Sequence, residues 1–182
     1  MTVDLNLTDG YVDLVGQGQD FAIRYGELAD STLRVKRLVK NRRIVCASPA
    51  YLKARGVPQH PDDLVHHECL VMRYGLTTDR EWPFLIDGRE RRVGVQGHRI
   101  ANDGELVRLW CRNGFGIARK SLLDVEADLR DGALVELLQD FSSGDTGLQI
   151  VYPAAQTQPR RVRLLIERIA KTLSTAGVPN ST

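Results

Sequence analysis

Residues 41–52 read NRRIVCASPAYL and place a strand directly before a helix. Arg43 to Ala47 is predicted to be extended, and Ser48-Pro49 starts a helix because proline is favoured in the first helical turn. The helix is predicted to run through Leu52 to Arg55 and to end at Gly56, since glycine is favoured just past a helix end. Strands that alternate with helices in this way are typical of an α/β fold.

The residues that follow continue the alternation of strands and helices. Short runs of strand-forming residues between turn residues predict the strands Cys69–Met72, Pro83–Ile86, Arg91–Val95, Phe115–Ala118, Leu134–Leu138 and Leu148–Tyr152. Asp87-Gly88 is typical of a hairpin turn. Further helices are predicted at Pro61-Asp62-Asp63-Leu64, from Ser121 to about Leu129, and just past Pro159 with the apolar stripe Val162, Leu165, Ile166, Ile169 and Leu173.

A well-marked helix is predicted from Asn102 onward. Asn102 and Glu105 have the spacing of a capping box, and Asn113-Gly114 ends the helix. The apolar residues of one face recur at helical spacing: Leu106, Leu109 and Trp110. The first-turn N–H groups at Asn102-Asp103, at the carboxyl edge of a parallel sheet, are placed to receive a small ligand. A plain capping box explains the same residues equally well.

The N-terminal part is predicted to contain further strands. Residues 3–7 alternate apolar and polar side chains, which predicts a short strand. Residues 11–15 are predicted to form a helical turn closed by glycine. Asp20 to Arg24 has the apolar density of a buried parallel strand, which implies a βαβ crossover, and Leu33 to Val39 is extended. The whole pattern predicts an α/β fold with a mainly parallel sheet in two lobes.

Composition and cysteine usage limit the classes of function. The 182 residues are 42% hydrophobic and 26% charged with a formal net charge of +2, so charge gives no argument for nucleic-acid binding. Cys46, Cys69 and Cys111 are odd in number and widely spaced, which is typical of buried free thiols in a reducing compartment. No export signal opens the chain, and no apolar run approaches the roughly 20 residues of a membrane span. We therefore expect a cytoplasmic protein without membrane association.

Residues with reactive or metal-binding side chains form no recognisable constellation. His66-His67 lies near Cys69, but no second cluster has ligand spacing, so a structural role is favoured over metal binding. The glycine pairs Gly16/Gly18 and Gly114/Gly116 lack the third glycine of a dinucleotide motif and fit turns better. The acidic pair Asp62-Asp63 fits a helix start. We expect no catalytic residue, no metal and no cofactor.

The strongest charge run alternates basic and apolar residues, and its basic members are Arg34, Lys36, Arg37, Lys40, Arg42 and Arg43. Alternation favours a solvated strand face. An anion-facing cleft or a partner surface is the alternative. Binding of a phosphate backbone is less favoured because no recognition helix accompanies the run.

Several strings, in order and at matching separations, resemble the effector-binding domain of LysR-type transcription regulators. They are YVDLV (11–15), DFAIRYG (20–26), DSTL (30–33), NRRIVCASPAYL (41–52), PDDL (61–64), WPF (82–84), NDGE (102–105), GFGIA (114–118) and LRDGALV (129–135). Each string alone is weakly specific. Together they cover most of the chain, from about Val3 to the final helix.

The resemblance implies a fold like that of type-2 periplasmic binding proteins, with two α/β lobes joined by two crossing strands and a small effector in the cleft between them. The first lobe would comprise residues 1–42 and 146–182, and the second residues 43–145. The resemblance also implies a homodimer or higher homo-oligomer in which the effector alters how a separate DNA-reading domain grips its operator. DNA would be contacted through that N-terminal domain alone.

The resemblance also assigns ligand-binding residues by position: Thr8, Asp9, Arg24, Tyr25, Arg73, Tyr74, Asn102 and Asp103. Four belong to the first lobe and four to the second, each at the carboxyl end of a strand or at a helix start. Two family segments lack a counterpart in the sequence. One is the winged helix-turn-helix with its linker helix, and the other is the first strand and helix of the first lobe.

Three other functions stay open at this point. A stand-alone solute-binding protein of the same fold would serve transport, but the missing export signal and the odd cysteine count argue against it. A small α/β enzyme would need an assembled nucleophile, metal or cofactor motif. A truncated partner that only oligomerises with full-length regulators is the third alternative.

Overall fold

Three β-sheets and four α-helices make up the part of the chain that the computed structural model describes, namely residues 2–8, 13–25, 33–144, 147–154 and 159–175. The strands are β1 Ala22–Tyr25, β2 Leu33–Val39, β3 Arg43–Ala47, β4 Cys69–Tyr74, β5 Thr77–Thr78, β6 Glu81–Ile86, β7 Arg89–Gly94, β8 Ile100–Ala101, β9 Ile117–Ser121, β10 Val135–Leu137 and β11 Leu148–Pro153. The helices are α1 Pro49–Arg55, α2 Gly104–Arg112, α3 Leu122–Arg130 and α4 Arg160–Thr175, and two short 3-10 helices span Pro61–His66 and Gln139–Phe141.

The chain divides into two compact units, which are called the first and second units below. The described residues of the first unit are 2–6, 13–25, 33–41, 147–154 and 159–175, and those of the second are 7–8 and 42–144. Each unit packs at least one helix against its own sheet. The expected α/β class is therefore confirmed.

The second unit is built on a six-stranded sheet with the order β10–β3–β9–β4–β5, in which β8 also pairs with β4. β4 runs parallel to β9 and β8, whereas β3 is antiparallel to both β9 and β10. The prediction of a mainly parallel sheet is therefore wrong. Apolar density indicates that a strand is buried, but the direction of its neighbours depends on connections that are distant in sequence.

Apolar side chains cover both faces of this sheet. On one face, the β6–β7 hairpin packs Trp82 and Phe84 into the same cluster as Ile117. On the other face, α2 and α3 contribute Val107 and Val125. Burial of each such side chain stabilises the fold by about 1.5–3 kcal/mol. The second unit therefore has a core layer on each side of its sheet.

Turn and cap signals around α1 and the β6–β7 hairpin are confirmed. Ser48 Oγ accepts the Tyr51 backbone N–H at 3.3 Å, and Gly56 follows the end of α1. Asp87 and Gly88 have φ values of 52° and 73°, the geometry of the type I′ turns in which Asp-Gly is favoured. These signals act within about four residues, so the local sequence is sufficient to specify them.

The inward face of α2 differs from the predicted one. Val107 and Cys111 are fully buried, whereas Leu106 and Leu109 are 39% and 42% exposed. Trp110 belongs to both stripes and is partly buried. The stripe that faces the core is therefore shifted by one residue along the sequence. A shift of one residue turns the inward face of a helix by about 100°.

The first unit has a three-stranded antiparallel sheet in the order β1–β11–β2. Ile150 of β11 packs with Val162 and Ile166 of α4, so the apolar stripe predicted for this helix is confirmed. β1 is antiparallel to β11, and the predictions of a buried parallel strand at 20–24 and of a βαβ crossover are wrong. Among the described helices, none is long and apolar enough to cross a membrane.

Residues 3–7 form no strand, contrary to the alternation of their side chains. The apolar residues of this stretch are between 62% and 83% exposed: Val3, Leu5 and Leu7. Alternation favours a strand only where a neighbouring strand supplies the backbone hydrogen bonds. The first two residues of the helical turn predicted at 11–15 lie outside the described residues, and residues 14–18 form a turn.

The three cysteines are buried free thiols, as predicted, and all lie in the second unit. The Cys111 thiol donates a hydrogen bond to the Cys46 carbonyl oxygen at 3.3 Å. Burial raises the pKa of Cys69 to about 12. That thiol is therefore uncharged and unreactive at neutral pH while the core is intact.

Candidate ligand-binding site

One edge of the second unit's sheet collects the four residues that were singled out there from the sequence. β4 ends at Tyr74, and the parallel strand β8 pairs Ala101 with Met72. Parallel neighbours place their carboxyl ends at the same edge, where open α/β sheets receive small ligands. The structure therefore brings residues 73–74 and 102–103 side by side.

Tyr74 is held by neighbouring groups, whereas Arg73 is exposed. Arg43 Nη2 donates to Tyr74 Oη at 2.8 Å, and the Arg43 guanidinium carbon lies 5.8 Å from the centre of the tyrosine ring. Thr77 Oγ1 donates to the Tyr74 carbonyl oxygen at 3.0 Å. The two Arg43 contacts hold the Tyr74 side chain, and the Arg73 side chain is exposed to solvent.

The start of α2 is capped one residue later than predicted. Asp103 Oδ1 accepts the Leu106 backbone N–H at 2.7 Å, so Asp103 is the N-cap and the capping box assigned to Asn102 is wrong. Aspartate and asparagine are equally good N-caps, and their adjacency in sequence cannot decide between them. Asn102 is exposed in front of the helix. A ligand at this helix start would find the Leu106 N–H already bound.

The other four predicted residues belong to other segments of the chain, and one of them is outside the described residues. Arg24 and Tyr25 end β1, are half-buried, and pair with Gln149 and Leu148 of β11. Thr8 is exposed and groups with the second unit. Asp9 lies outside the described residues. The part these four residues play in ligand binding stays a prediction.

A cluster of two arginines and one aspartate was missed by the sequence reasoning. Asp79 Oδ2 lies 3.4 Å from Arg43 Nη1 at the start of β3 and 3.4 Å from Arg119 Nη1 in β9. The three side chains are between 11% and 23% exposed. A usable signal was the pair Arg119-Lys120 inside a buried strand, because charged residues are almost never buried without a partner.

The positive charges of this cluster outnumber the negative ones. Burial lowers the pKa of Arg119, and the adjacent charge of Arg43 lowers it further. Burial also acts to lower the pKa of Arg43, but the contacts with Tyr74 and Asp79 outweigh it and raise that pKa. Both guanidinium groups stay protonated at neutral pH. They share one carboxylate, so one positive charge is in excess.

A crevice opens beside the cluster within the second unit. Its volume is about 280 Å³, and this figure includes space that is open to solvent. Its walls include the charged residues Arg42, Arg43, Arg119 and Glu136 and the aromatic residues Phe84 and Phe141. Arg42 forms a bidentate ion pair with Glu136, and this pair neutralises the Arg42 charge. The excess positive charge on this wall therefore belongs to Arg43 and Arg119.

Histidine, cysteine and carboxylate side chains do not gather into a metal-binding group in the part of the chain that the structure describes. His67 Nδ1 lies 3.2 Å from Tyr51 Oη, which also accepts the Glu68 backbone N–H at 3.0 Å. Burial lowers the pKa of His67. These contacts explain His67 as a packing partner of Tyr51.

The family assignment rests on the length of sequence that matches. The sequence model of the family described as "LysR substrate binding domain" matches residues 1–174. This chain belongs to the LysR substrate-binding domain family. The resemblance drawn from the short strings is therefore confirmed.

Individual relatives of this LysR domain are transcription regulators. The HTH-type transcriptional regulator DmlR of Escherichia coli (strain K12) is 33% identical over 167 residues, covering 89% of this chain and 52% of DmlR. The HTH-type transcriptional regulator CrgA of Neisseria meningitidis serogroup C is 34% identical over 170 residues, covering 91% of this chain and 55% of CrgA. The chain thus spans about half the length of these relatives.

The fold of this LysR domain is similar to that of solved regulatory domains. The regulatory domain of CrgA from Neisseria meningitidis has a TM-score of 0.78 with it at 32% identity, covering 91% of this chain and 81% of that one. LysR regulatory domains have the type-2 periplasmic-binding-protein-like fold, so the expected fold is confirmed. The eight assigned ligand-binding residues stay predictions.

Proposed function

We propose that this LysR domain is the ligand-sensing part of a bacterial transcription regulator. It would bind a small effector and thereby change how the full-length protein grips DNA through a separate helix-turn-helix domain. The observation that carries the proposal is the family match over residues 1–174. The polar residues at the carboxyl edge of the second unit's sheet support it, because such edges receive small ligands in open α/β folds.

The proposal includes a physical requirement on the effector. An effector can change DNA binding only by the difference between its affinities for the two states of the regulator, and the coupling between two such sites is typically 5- to 150-fold. The names of the relatives support a role in transcription regulation rather than catalysis. A cytoplasmic location and a homodimer or larger oligomer are parts of the same proposal.

A thermal-shift screen of aromatic acids, amino acids and sugar acids tests effector binding on the chain itself. A compound at 100 times its Kd is expected to stabilise the folded protein by about 2.7 kcal/mol. For any compound that binds, Arg73→Ala is expected to weaken affinity about tenfold, since a hydrogen bond to a charged group would be lost. Arg89→Ala removes the same charge from an exposed position on β7 and is the matched control.

Asn102→Ala and Arg24→Ala extend the test to the helix start and to β1. The sensing proposal fails if no compound in the screen raises stability. The residue assignment fails separately, if a compound binds but Arg73→Ala, Asn102→Ala and Arg24→Ala all bind it as tightly as the unmodified chain does.

A further inference from the structure

We propose that Arg43 and Arg119 form a binding site for a small oxyanion in the crevice of the second unit. The oxyanion would be either a free inorganic anion or the carboxylate group of a small organic acid. The site uses different side chains from the four residues assigned at the sheet edge, although Arg43 touches one of them, Tyr74. It goes beyond the sensing role, because it requires no DNA-reading domain and none of the eight residues assigned to the effector.

The geometry leaves donors available for such an anion. The two contacts to Asp79 Oδ2 are both 3.4 Å long, beyond the usual range for an N–H···O hydrogen bond. Each guanidinium group has five N–H donors in a planar fork. Among the described residues, Asp79 is the group that accepts a hydrogen bond from the Arg119 side chain. Planar forks of this kind bind carboxylates and phosphates with two parallel hydrogen bonds.

The charged groups around Arg43 and Arg119 do not neutralise the excess positive charge of these two side chains. Arg92 adds a further positive charge near Arg119 and acts to lower the pKa of Arg119. Asp124 faces Arg43 from α3, but its carboxylate lies 3.1 Å from Lys120 Nζ. A charge that is removed from water is costly unless it is paired. A bound anion would supply the missing pairing.

The size of the crevice limits the ligand. Its volume of about 280 Å³ includes open solvent, so the enclosed part is smaller than the roughly 300–1,000 Å³ of pockets that hold whole small molecules. A sulfate ion or one carboxylate group would reach Arg43 and Arg119 with its oxygen atoms, and the rest of an organic acid would extend toward solvent. The site would therefore select for the charged group and not for a whole effector.

The direct test is titration of the purified chain with sodium sulfate and, separately, with sodium acetate at constant ionic strength maintained with sodium chloride. Chemical shifts of arginine Nε–H groups report the binding. A saturable shift is expected for at least one of the two anions. Arg119→Gln is expected to weaken affinity about tenfold, because a charged donor to the anion is lost. Asp79→Asn is expected to strengthen affinity several-fold, because the competing carboxylate charge is removed.

The opposite signs of the two substitutions distinguish a binding site from a structural ion pair. Both substitutions break the same contact, so a purely structural role would weaken binding, or leave it unchanged, in both variants. Arg91→Gln removes the same charge as Arg119→Gln from an exposed side chain on β7 and should change affinity less than twofold. Asp79→Asn can be compared with the unmodified chain even if Arg119→Gln fails to fold.

The two anions distinguish the two sources of the ligand. Saturation by sulfate alone supports a free inorganic anion, and saturation by acetate supports the carboxylate of an organic acid. Shifts that follow ionic strength without saturation, or an Asp79→Asn variant that binds more weakly, would overturn the proposal. The sensing proposal would survive either result, because the effector screen does not depend on Arg119.

Discussion

The two units differ in how deeply they bury their sheets. Among the described residues, the second unit has clusters of eleven and ten buried residues on the two faces of its sheet, whereas the cluster between β11 and α4 in the first unit has three. Stabilisation by burial grows with the apolar area removed from water. The second unit therefore contributes most of the cohesion of the described chain, and the first unit is expected to open more easily.

Trp82→Ala in the second unit is expected to cause the largest loss of stability. Trp82 is 1% exposed and its Nε1 donates to the Asp79 carbonyl oxygen at 2.9 Å. Loss of the indole should lower the free energy of unfolding by about 3–5 kcal/mol in urea denaturation followed by circular dichroism. Trp110→Ala, at a partly buried position on α2, is the matched control and should cost less. Equal losses in the two variants would contradict the deeper burial of Trp82.

A somewhat smaller loss is expected when the ion pair between α2 and α3 is broken. Asp128 is 4% exposed and accepts from Arg108 Nε at 2.6 Å and from Nη2 at 2.9 Å. Asp128→Ala leaves the guanidinium without its buried partner and should lower the free energy of unfolding by about 3 kcal/mol. Glu105→Ala removes the exposed partner of the same arginine and should cost less than about 1 kcal/mol. The assignment is wrong if both variants have the same denaturation midpoint.

Ile166→Ala tests whether the first unit opens separately. This side chain is 4% exposed, and its removal should cost about 2 kcal/mol, the low end for such truncations in a thin core. Amide hydrogen exchange should quicken in β11 and α4 while β9 keeps its protection. Leu164→Ala, at a position that is 51% exposed on the same helix, is the control. If β9 lost as much protection as β11, the two units would unfold together.

The smallest effect is expected from a single surface carboxylate in the second unit. Asp63 Oδ2 accepts the backbone N–H groups of His60 at 2.9 Å and Gln59 at 2.8 Å, which lowers the pKa of Asp63. A lowered folded-state pKa gives stability that is present above the unfolded value of about 3.9 and is lost as pH falls through the folded value. The melting temperature should therefore exceed that of Asp63→Asn at pH 6, and the gap should narrow progressively as the pH falls below about 4. A gap independent of pH would show that charge is not the cause.

Elements that depend on neighbouring residues were predictable from the sequence. The Ser48 cap, the Asp87-Gly88 turn and the apolar stripe of α4 all rest on residues within a few positions of one another. The sheet-edge residues Arg73 and Tyr74 could be found for the same reason, because they directly follow the predicted strand Cys69–Met72, which the structure extends to Tyr74. The inward face of α2 was less secure, because two stripes one residue apart both have helical spacing: Leu106, Leu109 and Trp110, and Val107, Trp110 and Cys111.

Pairings between distant residues were not predictable. Ala22 of β1 pairs with Val151 of β11, and nothing local to residues 20–24 specifies that the partner is antiparallel. Arg43 and Arg119 are 36 and 40 residues from the aspartate they share. A single sequence shows which side chains are charged or apolar, but the contacts that decide their roles form only when the sheet assembles.

The three buried thiols can report how often the core of the second unit opens. An alkylating reagent reaches Cys46, Cys69 or Cys111 only when the core of the second unit separates, and the first unit gives no background because it has no cysteine. At low reagent concentration the labelling rate follows the population of the open form, and at high concentration it follows the rate of opening. A ligand that binds the folded second unit would lower the rate of cysteine alkylation. This readout needs no engineered label.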